Sequence, residues 1–174
     1  MLIISQYMLS FGKDPNAKVV KKSKSPLSFH PIAIIFGILS FVSFLVEGAV
    51  GDWSALYLFE DKGIVIEEAV MGVMFFNATM CIGRLLGNRL GKHLTSKQVV
   101  ISGYLLGSVA MALVVLLPGY GSMYTYLLVG ISLAMVVPNL FSAMGEQNVI
   151  PMTQAVATST MLGYMGILMG PALI

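Results

Sequence analysis

In residues 30–58, HPIAIIFGILSFVSFLVEGAVGDWSALYL, sixteen uncharged residues follow His30 before a carboxylate, Glu47, interrupts them. A helix crosses bilayer hydrocarbon with about 20 mostly apolar residues at roughly 1.5 Å each, so the run is long enough to span. Ionised Glu in hydrocarbon costs at least about 2.5 kcal/mol on insertion scales, and its side chain must therefore face protein or a watered cavity. Ser40, Ser43, Glu47, Gly51 and Ser54 recur at three- and four-residue steps, which gathers them into one small, polar stripe of a helix. Ile, Phe, Leu and Val fill the other faces. The segment reads as one wall of an aqueous path.

The rest of the chain has the same solvent. It is 57% hydrophobic and 10% charged over 174 residues, whereas soluble domains carry about 25% charged residues. Lipid requires that much apolar surface on the outside of helices. Alternation at period two, the mark of a membrane β-barrel, is missing, which leaves an all-α polytopic transmembrane bundle. One cysteine, Cys81, rules out an intrachain disulfide. With only two His beside it, no metal framework follows and no cofactor is called for.

Residues 1–12 lack a basic leader and a cleavage site, and their apolar part is too short to cross; they read as the end of a truncated transmembrane helix. Residues 13–29 carry Lys13, Lys18, Lys21, Lys22 and Lys24 against Asp14 alone, between the helix breakers Pro15 and Pro26. This basic linker belongs in the cytoplasm by the positive-inside rule, and nucleic acid is not expected as its partner. Five full spans follow, at about 30–58, 67–87, 98–117, 123–144 and 153–174. Between the first two, Glu60, Asp61, Glu67 and Glu68 make an acidic external turn, and residues 118–122 are expected to form the turn between the third and fourth. Pro138 frees the carbonyl of Ala134 within the fourth. Nine of ten Lys and Arg then fall on the cytoplasmic side, with Lys62 alone outside.

Three stretches look like a known family. Residues 47–58 (EGAVGDWSALYL), 83–94 (GRLLGNRLGKHL) and 163–174 (GYMGILMGPALI) resemble the seventh, eighth and eleventh helices of major facilitator superfamily (MFS) transporters, nearest to bacterial proteins related to fucose and other sugar permeases. Residues 83–94 are similar to the family's cytoplasmic signature, with Asn88 in the Asp place, Arg84 where the leading Gly is expected and His93 for the last basic residue. The resemblance implies a gate role for Arg84, Asn88, Arg89, Gly91 and Lys92. It also implies proton-coupled alternating access in a bacterial inner membrane, with a small, sugar-like solute as substrate and the lipid bilayer as surroundings. Members have two six-helix halves, so the chain would supply the end of helix six through helix eleven, and the N-terminal half would be its missing partner.

The candidate positions each carry a plainer reading. Glu47 is a proton or substrate coupling group, or a carboxylate held by an interhelical hydrogen bond. Asn77 and Asn139, in the middle of their spans, contact substrate or merely bond between helices. Asp52 and Trp53 lie toward the outer mouth, as a wetted acid and as an interfacial anchor or a platform for a sugar ring. Arg84 either snorkels to the surface or meets acids of the missing half. Gly103 with Gly107, and Gly166 with Gly170, let helices approach closely. A membrane enzyme is disfavoured, because no nucleophile and base stand at useful spacing. A non-transporting fragment, or a half-subunit that needs a partner, is the remaining alternative.

Overall fold

The computed structural model describes residue 27, residues 30–90 and residues 94–173. Among them are seven helices and no strand: α1 (Pro31–Glu60), α2 (Ile66–Ala69), α3 (Met71–Leu90), α4 (Ser96–Leu116), α5 (Gly119–Leu133), α6 (Val136–Glu146) and α7 (Met152–Leu173). The expected stub at 1–12 and all of the linker at 13–29 but Leu27 lie outside the described residues. Four stretches, Pro31–Glu60, Ile66–Gly87, Ser96–Leu116 and Gly119–Glu146, are long and apolar enough to cross a membrane. The 22 residues of α7 give it about 33 Å, also a spanning length. Large apolar side chains such as Ile35, Leu105, Leu116 and Leu168 stand exposed on the outside of these helices. Lipid, not water, suits such a surface, and the chain is a multi-pass membrane protein with an all-helical bundle.

Local chemistry explains the helix ends. Pro31 opens α1 where a missing N–H is harmless, and the His30 side chain accepts from Ile32 N at 3.3 Å. Gly63, at φ +69, turns the chain out of α1. Glu67 and Glu68 sit in the first turn of α2, where the helix dipole favours acids. A capping box of Thr95 and Gln98 starts α4.

Two boundaries depart from the sequence reading. The turn expected at 118–122 shrinks to Leu117 and Pro118, and α5 begins at Gly119 with φ +50. Ser122 is then inside a helix, buried, with its hydroxyl donating to Val114 O at 2.7 Å and so capping the end of α4. The fourth crossing also divides at Ala134–Met135, four residues before Pro138. Proline has no N–H to give Ala134 O four residues back, while Asn139 donates both its backbone N–H (3.2 Å) and its side-chain amide (2.8 Å) to Met135 O.

Close packing couples the helices in pairs. α1 lies along α7, α3 along α5, and α4 against α5 and α6. Small residues permit it: a Cβ on Gly166 would stand 2.4 Å from Phe41 O, one on Gly103 2.8 Å from Ser132 O, and one on Gly130 2.3 Å from Phe76 O. The α1–α7 seam is tied by Ser159, which accepts from Ser40 at 2.6 Å and donates to Phe36 O at 3.1 Å. Between α1 and α4, Tyr104 donates to Leu39 O at 2.5 Å and accepts from Ser43 at 2.8 Å. By contrast α1 touches α3 only lightly, and the site lies along that junction.

Candidate functional site

Glu47 stands 13 residues before the end of α1 at Glu60, and Arg84 stands 13 residues after the start of α3 at Met71. At 1.5 Å per residue both are about 20 Å from the same end of the bundle, so the antiparallel helices bring them to one level. They form an ion pair, Arg84 Nη2 donating to Glu47 Oε1 at 3.1 Å. The contact uses one guanidinium nitrogen and one carboxylate oxygen, and no other hydrogen bond to either side chain forms among the described residues. Glu47 is 20% exposed and Arg84 45%, so the pair is half-covered by this chain and open on its other side. A cation and an anion within membrane-length helices require either protein or water there.

Beside the pair runs a cleft of about 240 Å³ along α3, lined by Asn77, Met80, Cys81, Arg84 and Leu85. These residues fall at helical spacing, so Arg84 links the cleft to the pair. Asn77, Cys81 and Arg84 share one face of α3, all three are exposed, and that face lines this opening. Asn77 also donates to Val73 O of its own helix at 3.0 Å, which leaves its amide oxygen for the cleft.

The other expected positions are dispersed. Asn139 is half-buried on α6, outside the lining of the cleft, with its amide spent on Met135 O. Asp52 is exposed on α1. Trp53 is half-buried on another side of that helix, where it lines with Ser54, Tyr57 and Tyr126 a groove of about 200 Å³. Its Nε1 and the Ser54 hydroxyl are covered and unbonded. Asn88 and Arg89 fall in the last turn of α3, while Gly91 and Lys92 lie outside the described residues. Of the α1 stripe, Ser40, Ser43 and Ser54 are buried, Glu47 is partly covered and Gly51 is exposed. Its serines therefore serve helix seams more than an aqueous wall. Tyr104 was not singled out by the sequence reading; in a charge-free stretch, nothing but a lone phenol marks it.

Three known proteins are similar to this chain. An uncharacterised MFS-type transporter of Yersinia pestis is 38% identical over 142 residues, 81% of this chain and 37% of that protein. The membrane protein MosC of Rhizobium meliloti is 29% identical over 142 residues, 81% of this chain and 35% of MosC. An uncharacterised transporter of Sinorhizobium fredii is 32% identical over 140 residues, 79% of this chain and 37% of that protein. The chain thus spans a little over a third of the length of these relatives. No family model matches it, and no solved structure matches it.

Proposed function

We propose that this chain is part of a secondary transporter of the major facilitator type, which moves a small solute by proton-coupled alternating access. The observation that carries the reading is the Glu47–Arg84 ion pair, which joins two membrane-length helices at one depth beside an open cleft. Ionisable groups inside membrane spans mark solute and proton paths, because lipid penalises them without such a use. Glu47 is the group that takes and releases the proton. Asn77 and Arg84 meet the solute in the cleft. Asn139 acts from α6, and Asp52 and Trp53 belong to the outer mouth. The last turn of α3 with Asn88 and Arg89, continuing through Gly91 and Lys92, forms the cytoplasmic gate.

Relatives named transporters support this reading, and they also weigh against an enzyme. The length of those relatives supports a partner for the exposed side of the pair, the other half of a two-bundle transporter that rocks around a central site. The basic segment 13–29 sets the orientation, with that segment in the cytoplasm of a bacterial inner membrane. A half-subunit that is inactive until its partner binds is the second reading, favoured by the 45% exposure of Arg84.

Proton flux tests the first reading. In membrane vesicles with an entrapped pH dye, solutes from a panel of sugars and organic acids should drive proton movement in wild type and none in Glu47→Gln. Flux unchanged by that substitution removes Glu47 from the mechanism. Purification in mild detergent, followed by mass measurement, tests the second: a stable complex with another multi-span protein supports it, and a lone active chain refutes it.

A further inference from the structure

Resting on the transporter reading above, we propose that the solute is a small organic anion which replaces Glu47 as the counter-charge of Arg84, so that one anion and one proton bind together. The argument starts from what the two partners can do. A carboxylate can be neutralised by a proton, whereas a guanidinium cannot lose its own in a protein. When Glu47 takes a proton, Arg84 remains a cation within a membrane-length helix with its counter-charge gone, which lipid penalises. A neutral solute leaves that charge standing and a cation adds to it; a carboxylate removes it.

Among the described residues of this chain nothing offers a substitute. α1 carries no charged residue but Glu47 between Pro31 and Asp52, and α3 none but Arg84 between Met71 and Arg89. On α4 to α7 no Asp, Glu, Lys, Arg or His occurs at residues 98–145 or 147–173. Glu67 and Glu68 of α2 sit at one end of the bundle, and Lys97 and Glu146 sit at the other, where Glu146 bonds Ser96. The other polar side chains nearby are not acids: Cys81 lines the cleft, Tyr104 is bonded to Leu39 and Ser43, and Tyr164 is stacked on Phe44.

Geometry supplies the place. Arg84 gives Glu47 a single hydrogen bond, and the fork that could hold a carboxylate through two parallel bonds is otherwise unoccupied. The adjoining 240 Å³ is the volume of about eight waters at roughly 30 Å³ each, room for a small carboxylate. Charge balances: Glu47 goes from anion to neutral acid, the solute's carboxylate takes over the pair, and one proton and one negative charge cross together.

Cys81, the single cysteine, lines this cleft and reports on it without any transport. The full chain in nanodiscs is alkylated with a water-soluble maleimide, with and without L-lactate, pyruvate or acetate, and with glucose as the neutral control. At acid pH at least one carboxylate slows labelling and glucose does not. By linkage the anion's affinity falls about 5- to 150-fold toward alkaline pH. Glu47→Gln keeps protection at both pH values, and Arg84→Gln removes it at both, while matching unliganded labelling rates show that the variants keep the fold. Labelling that no carboxylate slows, or that glucose slows as well, overturns the anion assignment and leaves the transporter reading intact. A Cys81 that the aqueous reagent never reaches removes the watered cleft, and both fall.

Discussion

Replacing Gly166 by Ala tests whether α1 and α7 are held together by backbone approach. The added Cβ would lie 2.4 Å from Phe41 O and 3.1 Å from Leu45 N, atoms of a helix backbone that cannot swing aside. Reaching an ordinary contact of 3.4 Å means parting the two helices by about 1 Å, the difference of the two distances. A gap of that size forfeits roughly a quarter to a half of each neighbouring contact, and over-packing of this kind costs about 1 to 3 kcal/mol. Alanine also gains up to about 1 kcal/mol over glycine in a helix interior, which would mask part of the loss. Gly51→Ala on α1 supplies the control, since a Cβ there meets nothing within 4 Å. Both variants gain the propensity term, so their difference isolates the clash, at about 1 to 3 kcal/mol. Unfolding in mixed detergent and SDS micelles, followed by the fluorescence of the single tryptophan, Trp53, measures it. Equal stabilities, within about 0.5 kcal/mol, would refute close backbone contact at this seam.

Ser159→Ala removes both the bond from Ser40 and the bond to Phe36 O, and should cost about 0.6 to 1.7 kcal/mol in the same unfolding measurement. Pro138→Ala restores an N–H that can reach Ala134 O; it should stabilise by about 0.5 to 1.5 kcal/mol and lengthen the distance between spin labels at residues 123 and 144 as α5 and α6 straighten. Arg84→Gln leaves Glu47 as an unpaired anion that acid can relieve, so its stability deficit should shrink by up to about 1.4 kcal/mol per unit as pH falls. Glu47→Gln leaves Arg84, which acid cannot relieve, so that variant's own stability should gain nothing from acid over the same range; a gain matching that of Arg84→Gln would mean that another group titrates.

The spans were legible because lipid leaves so little choice: runs of about 20 apolar residues, with Lys and Arg at their ends, mark helices wherever hydrocarbon is the solvent. Their internal punctuation was less so. Tyr120, Gly121 and Ser122 look like turn residues, yet Ser122 finds Val114 O and the helix starts early. Pro138 announced a disturbance, and the break falls at the carbonyl four residues upstream, where the proline acts. Glu47 could be recognised as a burial problem from the sequence. Its partner could not, because Arg84 is 37 residues away and which helices adjoin is decided by packing. The same holds for Ser40 and Ser43, whose stripe was visible but whose partners, Ser159 and Tyr104, lie on α7 and α4.

Polar groups in this bundle divide by how much of their hydrogen-bonding capacity is already used. Ser40, Ser159, Tyr104 and Ser122 bond across helices, while Thr125, Ser132 and Asn139 return to carbonyls one turn back. Such groups fix the seams and have little left for a ligand. The Trp53 and Ser54 atoms are unbonded but covered, so nothing aqueous reaches them. Arg84 and Glu47 differ on both counts: each makes one bond where it could make several, and each is partly open. Among the described residues the neutral groups are mostly satisfied locally, and the hydrogen-bonding capacity left over within the membrane-length helices lies chiefly at this ion pair.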